Sequence, residues 1–347
     1  MKKLLSVALA LAIALGVAAQ QPAKKQFRIY GLAFYNLENL FDTINNNGKY
    51  DLEFSPRGQR QWNSDKYWSK INNLAYTIAN MTSKTTPNGP AVIGVSEIEN
   101  RSVLEDLVKA RDVRGRMYQI IHHDSPDRRG VDVGLLYDPR QFKPVNVTNH
   151  RLTIEGYPTF RTRDQLCVTG QLGPDTINII VNHWPSRLGG QEQSSYLREA
   201  AAALSKQIAD SIWRIHPDQG VVVMGDLNDD PFDKSAAKVL GGKKEAKDAA
   251  AHGFYNPWWK LIDKGIGTLA YKGAWNLFDQ IIISGNLADK ARPGHLKYWK
   301  CRVDNFDFLI TREGQRQGSP HRTFSAGVWL NGYSDHFPTE IFLMLEK

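Results

Sequence analysis

Apolar residues along the chain gather in short runs, several rich in Val and Ile, separated by polar turns. The runs at 27–35, 91–95, 131–137, 176–181, 220–224, 280–284 and 340–345 predict β-strands. Between some of them the spacing turns helical. Tyr67, Ile71, Leu74 and Ile78 share one helix face, with Ser64 placed to cap it. Val103, Leu104 and Leu107 mark a helix over 102–110. Leu197, Leu204, Ile208 and Ile212 mark another over 193–213. Strands interleaved with helices predict sheets covered by helices. No polar or Pro-rich stretch divides the body, so residues 27–347 read as one domain behind a short linker, 20–26.

The start of the chain has a different pattern. Lys2 and Lys3 precede an apolar stretch over 4–17, and the small residues Ala18 and Ala19 follow. That layout predicts a secretory signal peptide over 1–19, and hence a secreted or periplasmic protein. The stretch is shorter than the roughly 20 residues of a spanning helix, and no later segment is apolar enough to span. A mature chain of roughly 325 residues can bury about three quarters of its unfolded surface. Hydrophobic content of 41% and charged content of 23% argue against disorder. The formal charge is +8, two units of it from Lys2 and Lys3. A basic balance favours an anionic partner: nucleic acid, phospholipid or phosphorylated sugar. Cys167 and Cys301 can pair in an oxidising compartment or remain core thiols, and the sequence does not choose. A monomer is the favoured state.

Several apolar runs end, or begin, in a metal-binding or proton-transferring residue. AFYNLEN delivers Asn36 and Glu38, AVIGVSEIEN delivers Glu97, and INIIVNHWPSR delivers His183. VVVMGDLNDDP delivers Asp226 and Asn228, NLFDQIIIS begins with Asp279 close by, and YSDHFPTEIFL carries Asp335 and His336. Strand ends lie side by side at a sheet's rim, where ligand sites commonly form. Singly, each has an ordinary explanation as a solvated carboxylate, a turn former or a core histidine. Jointly they form an oxygen-rich set without Cys, suited to Mg²⁺, Mn²⁺ or Ca²⁺ rather than Zn²⁺. Two His add proton-transfer groups that titrate near neutrality. The inventory fits phosphoester hydrolysis, in which charge grows on phosphoryl oxygens.

In the order Asn, Glu, His, GDxN, Asp, SDH, the chain resembles the endonuclease/exonuclease/phosphatase superfamily. That group includes pancreatic-type deoxyribonuclease, abasic-site endonucleases, inositol-polyphosphate 5-phosphatases and bacterial sphingomyelinases. The connecting text, including NLENLFDT, RRGVDVGLLYD and NHWPSR, is most similar to the secreted bacterial nuclease branch. The resemblance implies a four-layer α/β/β/α sandwich of two packed mixed sheets flanked by helices. It implies Glu97 as the main metal ligand with Asn36 beside it, Asp335 as a further metal-side carboxylate, and Glu38 as an acid for a second metal or for steering the first. Asp226 and Asn228 match the pair that positions the attacking water. His336, oriented by Asp279, and His183 match the proton-transfer and phosphate-stabilising pair.

Arg163 and Arg187 are candidate phosphate grips, since a guanidinium suits phosphate oxygens. Arg198 is a weaker candidate, better read as a solvated helix residue. Asp132 can orient His183 or end a turn. The aromatics of 255–259, with Tyr271 and Trp275, can stack bases, although core packing is their commoner use. Lys243, Lys244 and Lys247 read as a solvated face. The expected activity is metal-dependent nuclease cleavage of DNA, and of RNA as an extension. A phosphatase or sphingomyelinase-like activity on small or lipid phosphoesters is the alternative, and a non-catalytic binding module is a third.

Overall fold

In strand β1 (Phe27–Leu40) the alternation puts Leu32 and Phe34 on one face and Ala33 and Tyr35 on the other, and both faces are buried. A strand covered on both sides belongs to a middle layer, and the rest of the chain supplies the covers. The structure is a computed structural model describing residues 26–44, 53–271 and 273–346, so the expected leader over 1–19 lies outside the described residues.

One sheet has six strands in the order β14–β17–β1–β2–β4–β3. They are β1, β2 (Val92–Ile98), β3 (Gln119–His122), β4 (Asp132–Tyr137), β14 (Lys297–Val303) and β17 (Thr339–Glu346). The other has seven, ordered β5–β6–β7–β8–β13–β10–β9. These are β5 (Phe142–His150), β6 (Gln165–Leu172), β7 (Asp175–His183), β8 (Gly220–Asp226), β9 (Gly242–Lys243), β10 (Phe254–Tyr255) and β13 (Asp279–Ser284). Two small hairpins, β11 (Leu269–Tyr271) with β12 (Ala274–Asn276) and β15 (Phe324–Ser325) with β16 (Val328–Trp329), stand apart.

Leu32, Phe34, Val92, Leu135 and Ile341 of the first sheet meet Val168, Ile179, Val222, Met224 and Ile281 of the second in the central core. The sheets approach closely where Met224 lies over Gly94: a Cβ there would sit 2.6 Å from the Met224 Sδ. The outer face of the first sheet is covered by helices α1 (Ser64–Asn80) and α2 (Arg101–Lys109) through Ile71, Leu74, Val103 and Leu107. Helix α3 (Ser195–Ile215) covers the second through Ala201, Ala202, Ile208 and Ala209. The four-layer α/β/β/α sandwich is the fold the sequence pointed to.

Two local expectations change. Asn63, not Ser64, caps α1, accepting from the Lys66 N–H, and Ser64 is the first helical residue. In α3 the buried stripe runs through Arg198, Ala201, Ala202, Ser205 and Ile208, with Leu197, Leu204 and Ile212 at its margins. Small residues let the helix sit close to the sheet, which displaces the large apolar positions to the flanks. Of the aromatic segment, Tyr255 and Trp258 are core residues. Cys167 lies beneath α3 and Cys301 on β14 of the other sheet, and both are free thiols. No described helix is long and apolar enough to cross a membrane.

Candidate active site

Each sheet centres on a parallel pair, β1 with β2 and β7 with β8, flanked by antiparallel strands. In such a sheet one rim collects the C-terminal ends of the parallel pair and the N-terminal ends of their antiparallel neighbours. Asn36, Glu38, Glu97, His183 and Asp226 come from the former, and Asp279 and the segment leading into β17 from the latter. In β7–β8–β13 the register sets His183 beside Asp226 and Asp226 beside Asp279. In the first sheet the register slips between Asn36 and Leu40 and again between Ser96 and Ile98. Such bulges re-aim side chains. Glu38, Asn39, Glu97 and Asn228 all take positive φ, which L-residues adopt at a cost. Among the described non-glycine residues the same conformation recurs outside the motifs only at Gln61, Met117, Ala326 and Asn331.

The two rims touch. Asn36 Nδ2 donates to Asp226 Oδ2 at 3.0 Å, while Asn36 Oδ1 accepts from the Glu38 N–H at 2.9 Å, so the amide orientation is set from both sides. His183 Nε2 lies 3.6 Å from Asp226 Oδ2 and 3.8 Å from Glu97 Oε1. Glu97 accepts from the Asn39 N–H and from Arg129 Nη1, at 2.9 and 3.1 Å. Burial opposes its ionisation, but Arg129, then His183, more than offsets this and holds the carboxyl well below the usual range. Asp335 receives Arg322 Nη2 at 2.7 Å, and Arg322 Nε lies 3.4 Å from Glu38. Glu38 is pushed up by burial and by Asp335, against the pull of Lys70 and Arg322.

The second rim, which His336 reaches from the segment before β17 of the first sheet, handles protons. His336 Nδ1 contacts Asp279 Oδ2 at 2.7 Å, and Thr268 Oγ1 donates to the same oxygen at 2.5 Å. Burial disfavours the imidazolium, but Asp279, Asp226 and Asp335 outweigh it and raise the His336 pKa well above its ordinary value. His183 moves the opposite way: burial, then Arg163, lowers it, and its Nδ1 is buried without a hydrogen-bond partner. Asp226 is pushed up to about 6, chiefly by burial. Its Oδ1 accepts from the Asn228 N–H at 3.0 Å, and Asn228 Nδ2 donates to the Trp184 carbonyl at 2.9 Å.

The expected phosphate grips have other partners. Arg163 donates to the carbonyls of His183 and Trp184 and to Asp127, which spends its fork on the backbone that presents His183. Arg187 donates to the Asn228 carbonyl and Asp233 and lies over the Phe278 ring, so it shapes the GDLNDD turn. Arg198 is wholly buried against Asp229 at 2.7 Å, neither solvated nor facing a ligand. Asp132 accepts from Ser125 and contacts His122 at 3.0 Å, not His183. Lys243 and Lys247 are exposed, and Lys244 pairs with Asp263. The residues the sequence reading missed are Arg129, Arg322 and Lys70. Arg129 follows Arg128 just before β4, a rim position that can be inferred from the strand. Lys70 sits three residues after Tyr67 and four before Leu74, on the apolar face of α1, where a charge signals a buried partner.

Asp226, Asp279 and His336 offer donor atoms within 4.8 Å of one another, an acidic cluster able to hold a cation. Its imidazole is already hydrogen-bonded to Asp279 and favours the protonated form, which competes with a metal. Glu97 and Asp335, the metal ligands expected from the sequence, are not in that cluster, and each already pairs with an arginine. A carboxylate has about four acceptor positions, and Glu97 spends two of them on Asn39 and Arg129. Carboxylate oxygens with positions to spare suit a hard divalent ion.

The model of the Endonuclease/Exonuclease/phosphatase family matches residues 31–347. The chain belongs to that family. No curated protein matches it by sequence. Among solved structures, D. rerio TDP2 complexed with single strand DNA product is 15% identical with a TM-score of 0.54, over 91% of this chain and 98% of that one. An endonuclease/exonuclease/phosphatase family protein from Bacteroides thetaiotaomicron is 14% identical with a TM-score of 0.54, over 92% and 99%. Truncated Caenorhabditis elegans TDP2 is 14% identical at 0.53, over 91% and 97%. At these identities the likeness speaks for the fold, and the family's phosphoester chemistry must be argued from this chain's own rim.

Proposed function

We propose that this family member is a secreted, divalent-metal-dependent phosphodiesterase that hydrolyses nucleic acid, DNA first, by in-line attack of water. One observation carries the reading: Asn36, Asp226, His183 and Glu97, from four strands of two sheets, adjoin one another in that order, with the Asp279–His336 pair beside them. Secretion is supported by the leader pattern of residues 1–19.

In this mechanism Asp226, oriented by Asn36 and the Asn228 N–H, aligns the water and takes its proton. Asn228, fixed at Trp184, lines the same turn. His336, kept charged by Asp279, holds a proton at Nε2 for a phosphoryl oxygen or the departing oxygen. His183, kept neutral, places Nε2 against the phosphate from the opposite side. Arg129 and Arg322 add positive charge at the rim. A divalent ion held by Glu97 and Asp335, with Asn36 nearby, would supply Lewis-acid charge to the phosphate.

A nucleic-acid substrate is favoured by the groove beside His336. It has a volume of about 660 Å³ and is lined by Tyr271, Trp275, Gln315, Arg316, Arg322 and Asp335. Tyr271 is 63% and Trp275 37% exposed, and the Trp275 ring lies parallel to Phe337, next to His336. Exposed rings beside arginines suit bases and phosphates. The structural neighbour bound to single strand DNA product is consistent with this reading. A panel with Mg²⁺, Mn²⁺ and Ca²⁺ in turn tests it. Chelator-sensitive plasmid relaxation is the expected result. Release of phosphate or phosphocholine from small esters without any DNA cleavage would overturn the nuclease assignment.

A further inference from the structure

Lysine is seldom buried without a partner, because desolvating an ammonium is costly. Lys70 is 0% exposed, in the middle of α1. Its Nζ donates to Thr323 Oγ1 at 2.5 Å and to the Tyr333 carbonyl at 2.6 Å, and lies 3.8 Å from Glu38 Oε2. Glu38 Oε2 also accepts from the Thr323 N–H at 2.7 Å, while Glu38 Oε1 faces Arg322 Nε at 3.4 Å. The Glu38 carboxylate is thus enclosed by an ammonium, a guanidinium and a backbone donor. Around it, Ser69 and Asn73 of α1 bind Asn331 and Gly332. The helix therefore grips both ends of the segment 323–333, which lies between Arg322 and Asp335.

We propose that Lys70 is a built-in cation occupying the charge position beside Glu38, so that Glu38 anchors Arg322 and the centre takes one divalent ion, on the Glu97 side. This rests on the metal reading above, and it makes Lys70 a positioning residue. An incoming second ion at Glu38 would have to displace two fixed cations and the Thr323 N–H, from a cavity of about 190 Å³ that Arg60, Arg316 and Arg322 also line. Positive charge supplied by side chains needs no uptake from the medium, and the Glu38 carboxylate holds Arg322 Nε while Arg322 Nη2 reaches Asp335.

Two measurements on the full folded chain decide this. In calorimetric titration with Mn²⁺ alone, the wild type binds one ion, and Glu38→Gln still binds one with an affinity within about threefold. In thermal unfolding with chelator present, Lys70→Met lowers the Tm, and Glu38→Gln placed in that background recovers most of the loss. Lys70→Met leaves the Glu38 carboxylate with Arg322 and the Thr323 N–H but no ammonium, and Glu38→Gln leaves the Lys70 ammonium with no carboxylate beside it, whereas the double variant removes both charges. Two Mn²⁺ in the wild type, loss of Mn²⁺ binding in Glu38→Gln, or strictly additive losses of Tm would overturn the proposal. If Lys70→Met fails to fold, the Glu38→Gln titration still decides. The melting cycle reads the Lys70–Glu38 pair even in a protein that cleaves no phosphoester, so its failure is distinct from failure of the nuclease reading.

Discussion

The two rims that meet at the site are built on one plan, a parallel pair with antiparallel flanks, yet they do opposite things. The rim of the first sheet is bulged and strained at Asn36–Leu40 and Glu97, and its acids are answered by fixed cations: Glu97 by Arg129, Asp335 by Arg322, Glu38 by Lys70 and Arg322. The rim of the second sheet keeps its register, and its groups are answered by hydrogen bonds: Asp226 by Asn36 and the Asn228 N–H, Asp279 by Thr268 and His336. The first arrangement keeps Glu97 charged, although burial still pushes Glu38 up, while the second keeps protons within reach, with Asp226 at about 6 and Asp279 holding the incoming His336 charged. Topology brings the groups together, and local partners decide what each can do.

Removing Glu97, or the imidazole that pairs with Asp279 of the second rim, should have the largest effect. Glu97→Ala and His336→Ala are each expected to reduce plasmid cleavage about 10³-fold while circular dichroism stays native. A folded Glu97→Ala protein with full activity would remove the acidic rim from the chemistry.

A subtler change separates charge from shape. Asp279→Asn keeps the volume but removes the negative charge that does most to raise the His336 pKa. Cleavage should fall about 100-fold, and the alkaline limb of the rate profile should move to lower pH. The sign for stability follows from linkage. The His336 pKa is raised in the folded state, so its stabilisation is full below the unfolded value near 6.5 and is lost as pH rises through the folded value. The Tm deficit of Asp279→Asn should therefore be larger at about pH 6 than at about pH 9. An equal deficit at both would deny the ion pair.

Asp226 gives a smaller effect of opposite use. Its folded pKa of about 6 lies above the ordinary carboxylate value of 3.8. The folded state thus gains from its proton below about pH 4 and loses that gain as pH rises through 6. Asp226→Asn should lose activity yet melt on the order of a few degrees higher than wild type at about pH 8, with no gain at about pH 4. A lower Tm at pH 8 would show that Asp226 is content as an anion. The smallest effect is expected from Arg163→Lys, which cannot span the His183 and Trp184 carbonyls together with Asp127. A roughly tenfold loss in kcat with little change in KM fits positioning, whereas a rise in KM alone would return Arg163 to phosphate binding.

How far the sequence reads depends on what each residue answers to. Central strands such as 220–224 and 280–284 carry unbroken apolar runs, VVVM and III, because both faces are covered, so they stand out. The edge strands β5 and β14, FKPVNVTNH and KYWKCRV, carry charge and polarity on their open faces and leave no such pattern. The motif residues at strand ends were legible because a rim gathers them. Their partners were not: nothing local joins Arg322 to Glu38 or Arg129 to Glu97, and these pairings exist only once the sheets have packed. Arg163, Arg187 and Arg198 show the same limit in reverse, since residue type suggested phosphate whereas tertiary placement gave them carbonyls and carboxylates.

The central claim is that the two rims act as one phosphoester-cleaving centre, and a kinetic double-variant cycle across them tests it most directly. Single-turnover cleavage would be compared for wild type, Glu97→Ala of the first sheet, His183→Ala of the second and the double variant. Groups that work as one unit lose function together, so the double variant should be no slower than the poorer single variant within error. If the two losses instead multiply, the rims contribute independently and the shared centre described here is wrong.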